Sequence, residues 1–312
     1  MIVVHLILYI IAFICIWLGA GLIVSSTSKF SKKLKISPFA FSFIFLGLLT
    51  STPELSVGLQ AVINHDTNIF VGNLLGGIVV LFLVIIPLLA IFGNGINLKH
   101  ELSKKMLLIT MGVIIAPSIV VLDNRVTSFE GAVLIVLYLI LLFFVERHHG
   151  IFDKHNTKML NMKAYSYKDI INILVGLIIV FVSSNVIVDK TIYFANTFHV
   201  SAFYISLIIV ALGTDLPELS LAIRSVASGN KDIAMGDYVG AAAVSTFLFG
   251  LFTVLSNGEI ITINNFFVTF IFIIIALSLF YYFSLEKNFI SRKNGFIMIS
   301  IYVLFVILEI VK

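Results

Sequence analysis

Two ten-residue stretches, GLLTSTPELS at 47–56 and ALGTDLPELS at 211–220, set carboxylates, hydroxyls and a proline inside runs of Ile, Leu, Val, Ala and Phe. Glu54, Asp215 and Glu218 fall well within apolar segments. A charged side chain at the centre of a membrane helix costs about 2.5–3.5 kcal/mol on insertion scales, so these groups call for a cation or a proton to neutralise them. Residues three and four apart share a helix face. That spacing joins Thr50 and Ser51 to Glu54, and Thr214 and Asp215 to Glu218. Pro53 and Pro217 each remove a backbone donor, which predicts a kink or unwinding and free carbonyls around Leu49, Thr50, Gly213 and Thr214. The resulting donors are all oxygen, and no His lies in either stretch. Hard cations such as Ca²⁺ take about six to eight oxygen ligands, whereas Zn²⁺ selects His or Cys. A hard divalent cation is the first choice, with Na⁺ at flanking oxygens.

A second element follows each stretch. Gly72-Asn73-Leu74-Leu75-Gly76 corresponds to Gly236-Asp237-Tyr238-Val239-Gly240. The glycines permit close helix approach. Asn73 and Asp237 hold equivalent positions, and Asp237 is expected to face the ion path, with a helix N-cap at the membrane edge as its alternative. The remaining acids do not qualify. Asp66, Asp123, Asp189, Asp232, Glu259 and Glu286 fall at predicted helix ends or connections, Glu130 reads as structural, and Glu309 is expected to snorkel to water.

These residues need elements to hold them. Of 312 residues, 60% are hydrophobic and 12% charged, against about 25% charged in a soluble domain. Apolar runs near the bilayer-crossing length predict an all-α polytopic membrane protein of ten helices, roughly at 2–27, 38–63, 68–93, 104–122, 128–146, 169–189, 201–227, 232–256, 260–284 and 293–311. The first run has no basic leader and no small-residue cleavage site, so it reads as a span. Alternate connections carry 17 of the 20 Lys and Arg residues; the other side has Arg125, Lys190 and Lys312. The positive-inside rule then places both termini extracellularly, in a multi-pass protein of the plasma membrane. The net charge of +4 is explained by this topology and does not indicate nucleic acid. Cys15 is the single cysteine, so no internal disulfide forms. His148, His149 and His155 belong to a polar linker and read as solvated.

The chain is a duplication. An offset of 164 residues matches Pro53-Glu54-Leu55-Ser56 to Pro217-Glu218-Leu219-Ser220, Thr50 to Thr214, Gly72 to Gly236, Gly76 to Gly240 and Gly131 to Gly295. The organisation is a first five-helix repeat at 1–146, with its motif at 47–81, a cytoplasmic linker at 147–168, and a second repeat at 169–312, with its motif at 211–245. An odd helix number inverts the second copy. Inverted repeats are a mark of alternating-access transporters, whose site lies near the midplane at the repeat interface.

These motifs resemble the paired alpha repeats of the cation/calcium exchanger superfamily, and the chain is most similar in layout to the ten-helix prokaryotic sodium/calcium exchangers. The family pattern is G-T-S-x-P-E followed by G-N-x-x-G-S-N. The resemblance implies Ca²⁺ carried in exchange for Na⁺, with Ca²⁺ held by Glu54 and Glu218 and the carbonyls of Thr50 and Thr214. Here the family's first Gly is Leu49, although Gly213 is kept, and its Ser is kept as Ser51 but becomes Asp215 in the second half. The Asn of the second element is Asp237. The next Ser and Asn are Gly77 and Ile78 in one half and Ala241 and Ala242 in the other, and the ring-completing Asn or Asp is Leu81 or Ser245. Hydroxyl and amide ligands for Na⁺ are lost while carboxylates are gained. A buried carboxylate beside others can carry a proton, which brings H⁺ coupling into play through Asp215.

The reading is a secondary antiporter of a divalent cation, most simply Ca²⁺ against Na⁺, with H⁺-coupled antiport of Ca²⁺ or another cation as the alternative. A passive channel or a transport-inactive paralogue is a remoter reading. So is an intramembrane aspartyl protease, for which Met235-Gly236-Asp237 supplies only part of the pattern. No enzyme activity and no cofactor are expected. The expected partners are the lipid bilayer and inorganic cations, with no nucleic acid. One chain is expected to suffice for transport.

Overall fold

Backbone groups in hydrocarbon have no water to bond, so long apolar runs close their hydrogen bonds within helices. The computed structural model describes residues 2–31, 43–44, 47–97, 104–149, 167–219, 223, 231–256, 259–261, 265–287 and 289–311. The linker between 150 and 166, with His155, lies outside them, as do the side chains of His148 and His149.

The helices are α1 (Ile2–Ser31), α2 (Gly47–Thr50 and Thr52–Ile63), α3 (Thr67–Phe92), α4 (Lys104–Val120), α5 (Ser128–His149), α6 (Tyr167–Phe198), α7 (Ala202–Leu219), α8 (Lys231–Leu255), α9 (Phe267–Lys287) and α10 (Arg292–Val311). Among the described residues, nine helices are long and apolar enough to cross a membrane, and α2 is described in pieces. Helix α6 passes its expected end at residue 189. Beyond it, Tyr193 stacks on His5 and Phe194 packs against Tyr9, so contacts with α1 hold the last turns. Glu130 is structural: it closes a capping box at the start of α5, accepting from the Thr127 amide at 2.8 Å while the Thr127 hydroxyl accepts from the Glu130 amide at 3.3 Å.

Polarity is arranged inside out. Large apolar side chains such as Leu6, Ile10, Phe143, Ile178, Val182 and Val303 are exposed. Thr50, Ser51, Glu54, Asn73, Thr214, Asp215 and Glu218 are buried. In water such a surface would be an aggregation hazard; in a bilayer it is the favourable arrangement.

Two short sheets record the duplication in three dimensions. Strand β1 (Ile96–Asn97), after α3, pairs antiparallel with β4 (Phe289–Ile290), before α10; β2 (Arg125–Thr127) pairs with β3 (Glu259–Ile261). The pair Ile96–Ile290 maps onto Ile260–Val126 under the 164-residue offset. Helix packing follows the same rule. Helix α3 packs on α7 and α10, α8 packs on α2 and α5, and α1 lies along α6. Among the described residues the fold is ten helices in two inverted five-helix repeats.

The expectation for Glu309 fails. Glu309 does not snorkel: it is 3% exposed, and the Thr269 hydroxyl donates to it at 2.7 Å. Side-chain orientation on α10 turns it toward α9 instead of the helix end. Thr269→Val removes this donor and is expected to lower stability by about 1–3 kcal/mol, measured as a lower melting temperature in detergent with divalent-cation affinity unchanged.

Candidate functional site: a buried carboxylate cluster between the two halves

Local backbone sets the site. Helices α2 and α7 each break for one residue two positions before proline, at Ser51 (φ −75°, ψ 11°) and Asp215 (φ −80°, ψ 4°). The break is slighter than an unwound segment. Ser51 N–H still bonds the Gly47 carbonyl at 3.1 Å, and Leu55 N–H bonds the Ser51 carbonyl at 3.0 Å. The Leu49 carbonyl released by Pro53 is not free, because the Thr52 hydroxyl donates to it at 2.6 Å. The expected freed carbonyl is therefore corrected at Leu49, where a neighbouring side chain replaces the missing amide donor.

Two glycines bring the crossing helices into contact. A Cβ on Gly76 would lie 2.1 Å from the Leu207 carbonyl oxygen, and one on Gly240 would lie 2.2 Å from that of Phe43. These positions are equivalent under the 164-residue offset, so each half clamps its α3 or α8 helix against the broken helix of the other half. That clamping draws the two motifs together.

Glu54, Asp215 and Glu218 converge there, with one carboxylate oxygen from each lying within 4.8 Å of the others. Their exposures are 4%, 3% and 1%. Both Glu54 oxygens and one oxygen each of Asp215 and Glu218 have no hydrogen-bond partner. The threonines are exchanged between halves, with Thr214 beside Glu54 and Thr50 beside Glu218. Thr214 also donates to the Asn73 amide oxygen at 3.0 Å, bridging α7 and α3. The Asn73 amide nitrogen is buried without a partner.

The Ser51 hydroxyl proton is committed to a carbonyl, whereas the Thr50 hydroxyl is shared between a carbonyl and Glu218. Thr50 and Ser51 donate to the Gly47 carbonyl at 3.3 and 2.8 Å. A hydroxyl that gives its proton to a carbonyl keeps oxygen lone pairs for a cation. The cluster can thus offer carboxylate and hydroxyl oxygens, a hard-cation donor set.

The remaining positions divide. Gly77 faces Asp215: a Cβ there would sit 3.6 Å from both carboxylate oxygens. Leu81 is buried, and the Ser245 hydroxyl donates back to the Ala241 carbonyl at 3.2 Å. Asp237 lies on α8, but its side chain is outside the described residues. Sequence reasoning did not single out Tyr302 of α10, whose buried hydroxyl has no hydrogen-bond partner. The available signal was its match to Tyr138 under the same offset.

Fold and site together define a polytopic helical membrane protein with an oxygen-rich carboxylate cluster at the junction of two inverted halves. A family model described as "Sodium/calcium exchanger protein" matches residues 4–146 and 168–311, and the chain belongs to that family. The inner membrane protein YrbG of Escherichia coli strain K12 is 26% identical over 262 residues, spanning 81% of this chain and 80% of the relative. The putative antiporter CaxA of Alkalimonas amylolytica is 27% identical over 256 residues, 79% and 77% of the two chains. The sodium/calcium exchanger MaX1 of Methanosarcina acetivorans is 23% identical over 351 residues, 98% and 99%. Among solved structures, the sodium-calcium exchanger NCX_Mj shares the fold, with a TM-score of 0.72 at 20% identity over 97% of this chain and 98% of its own.

Proposed function

We propose that the protein is a secondary antiporter that moves a divalent cation, Ca²⁺ first, across the plasma membrane in exchange for Na⁺ by alternating access. The observation that carries this is the convergence of three buried carboxylates from two inverted halves within 4.8 Å. Uncompensated, such charge in hydrocarbon is strongly unfavourable; a shared hard cation neutralises most of it and fills the unpartnered oxygens. Glu54, Glu218 and Asp215 are assigned as anionic ligands, with oxygens of Thr50, Ser51 and Thr214 and the Asn73 amide completing the surroundings and Asp237 at the path. All-oxygen donors favour Ca²⁺ over Zn²⁺.

Membership of the exchanger family and the names of the relatives support transport over enzyme chemistry. Asp215 lies among glutamates, which disfavours a protease dyad. The repeats at 1–146 and 169–312, joined by a cytoplasmic linker at 147–168, supply both halves of the site in one chain, so a monomer is sufficient. The Lys and Arg asymmetry supports extracellular termini.

A second reading concerns the coupling ion. Three carboxylates exceed the charge of one divalent cation by one, and Asp215 stands where the family pattern has Ser. This favours a bound monovalent cation, Na⁺ or H⁺, alongside or alternating with Ca²⁺. Purified protein in liposomes, loaded to impose a Na⁺ or a H⁺ gradient, tests both readings through radioactive Ca²⁺ uptake. Na⁺-driven uptake is the expected result, and uptake driven by H⁺ alone assigns the second reading. If neither gradient moves any divalent ion, antiport is wrong. Asp215→Ser is expected to retain Ca²⁺ movement while changing its dependence on the imposed gradient; unchanged coupling removes Asp215 from that role.

A further inference from the structure

Asn73 of α3 lies between two glycines that hold this helix against α7. A Cβ on Gly72 would lie 2.5 Å from the Phe203 carbonyl oxygen, and one on Gly76 would lie 2.8 Å from the Ala211 Cβ. Asn73 and Gly76 are three apart on α3, as are Ala211 and Thr214 on α7. The faces that meet at the glycine therefore also carry these two polar side chains. They are joined directly: the Thr214 hydroxyl donates to Asn73 Oδ1 at 3.0 Å, nearer than the Ala211 carbonyl of its own helix at 3.3 Å.

Packing does not explain an amide at this position. Asn73 is buried and its Nδ2 has no hydrogen-bond partner. A buried donor left unmade is costly, and a leucine of similar size would avoid that cost. The use of the amide lies in its oxygen. A hydroxyl has one proton to give and two lone pairs to offer. Thr214 is next in the chain to Asp215, and the carboxylates of Asp215, Glu54 and Glu218 approach within 4.8 Å of one another. A hydroxyl beside such a cluster gives its proton to a carboxylate unless a neutral acceptor takes it. A proton so placed would stand between the hydroxyl oxygen and a cation.

We propose that Asn73 is a positioning residue, whose amide oxygen takes the Thr214 proton and so turns the lone pairs of the Thr214 hydroxyl toward the cation held by Glu54 and Glu218. This inference rests on the antiport reading above. It separates Asn73 from the ligands: the amide acts on the ion through Thr214, from a depth on α3 that the flanking glycines fix.

A double-mutant cycle read by equilibrium Ca²⁺ binding to the full-length protein in detergent tests it, with melting temperature measured in parallel. Thr214→Val keeps the side-chain shape, removes the hydroxyl and is expected to weaken binding roughly 10-fold, the scale of one bond to a charged group. Asn73→Leu is expected to weaken it to a similar degree in the wild type and not at all in the Thr214→Val background. Asn73→Asp keeps an acceptor oxygen, so in that background Thr214→Val should still cost its 10-fold. Should Asn73→Leu fail to fold, Asn73→Ala carries the same comparison without added bulk. An equal loss from Asn73→Leu in both backgrounds makes Asn73 a direct ligand and overturns the inference. So does a lower melting temperature with unchanged Ca²⁺ affinity, which makes the bond to Thr214 purely structural. Both results leave antiport standing. Wild-type protein that binds no divalent cation overturns the antiport reading, and this inference with it.

Discussion

Glu218→Gln is expected to abolish exchange, with Ca²⁺ uptake into liposomes falling to background, on the order of 100-fold or more, since anionic ligand count sets the affinity of a hard-cation site. Glutamine preserves volume but removes a charge from a group 1% exposed and within 4.8 Å of two other carboxylates. Glu54→Gln, its partner from the opposite half, is expected to do the same. Folding is not the cause, and this is measurable. With no cation bound, three clustered buried carboxylates destabilise the fold, so each glutamine variant should melt at or above the wild-type temperature in chelator. Wild type should then gain stability as Ca²⁺ is added, because a ligand that binds only the folded state stabilises it. The variants should lose that gain. Full exchange by either variant would remove these glutamates from the ion path.

Gly76→Ala is expected to produce the largest stability loss of any single-methyl change at the interface of α3 and α7. Its new Cβ would lie 2.1 Å from the Leu207 carbonyl oxygen and 2.8 Å from the Ala211 Cβ. A backbone carbonyl cannot rotate away as a flexible side chain can, so the helices must separate, at about 3 kcal/mol or more. Separation also moves Thr214 from Asn73 and pulls Asp215 from the cluster, so Ca²⁺-induced stabilisation should fall together with the melting temperature. Gly112→Ala is the matched control. Nothing lies within 4 Å of its added Cβ, and alanine is the better helix former by up to about 1 kcal/mol. That variant should be neutral or more stable. An equal melting temperature for Gly76→Ala and wild type would show that close helix approach does not build the site.

Much of this was legible before any coordinates. Burial of charge in hydrocarbon is so unfavourable that Glu54, Asp215 and Glu218 stand out by type and position alone. The duplication is carried by Pro, Gly, Ser and Glu, residues that apolar composition does not produce by chance. The contacts between halves were less accessible. Local spacing places Thr214 on the face of Glu218, its neighbour in sequence, yet the structure sets it beside Glu54 and bonds it to Asn73. Spacing within one helix cannot show which residues of another helix cross it. Leu49 failed for a related reason, since a missing amide donor says nothing of the Thr52 hydroxyl that replaces it.

The sequence by itself determined a membrane-spanning, internally duplicated, helical chain and the acidic groups proposed to hold its cation. These follow from solvation and from helical spacing, both of which act along the chain. Only the tertiary structure decided that α3 and α8 cross the broken helices closely enough to join three carboxylates, and that Glu309 turns inward to Thr269. Those outcomes depend on packing between residues far apart in sequence, where glycine contacts fix helix depth and rotation that no local pattern encodes.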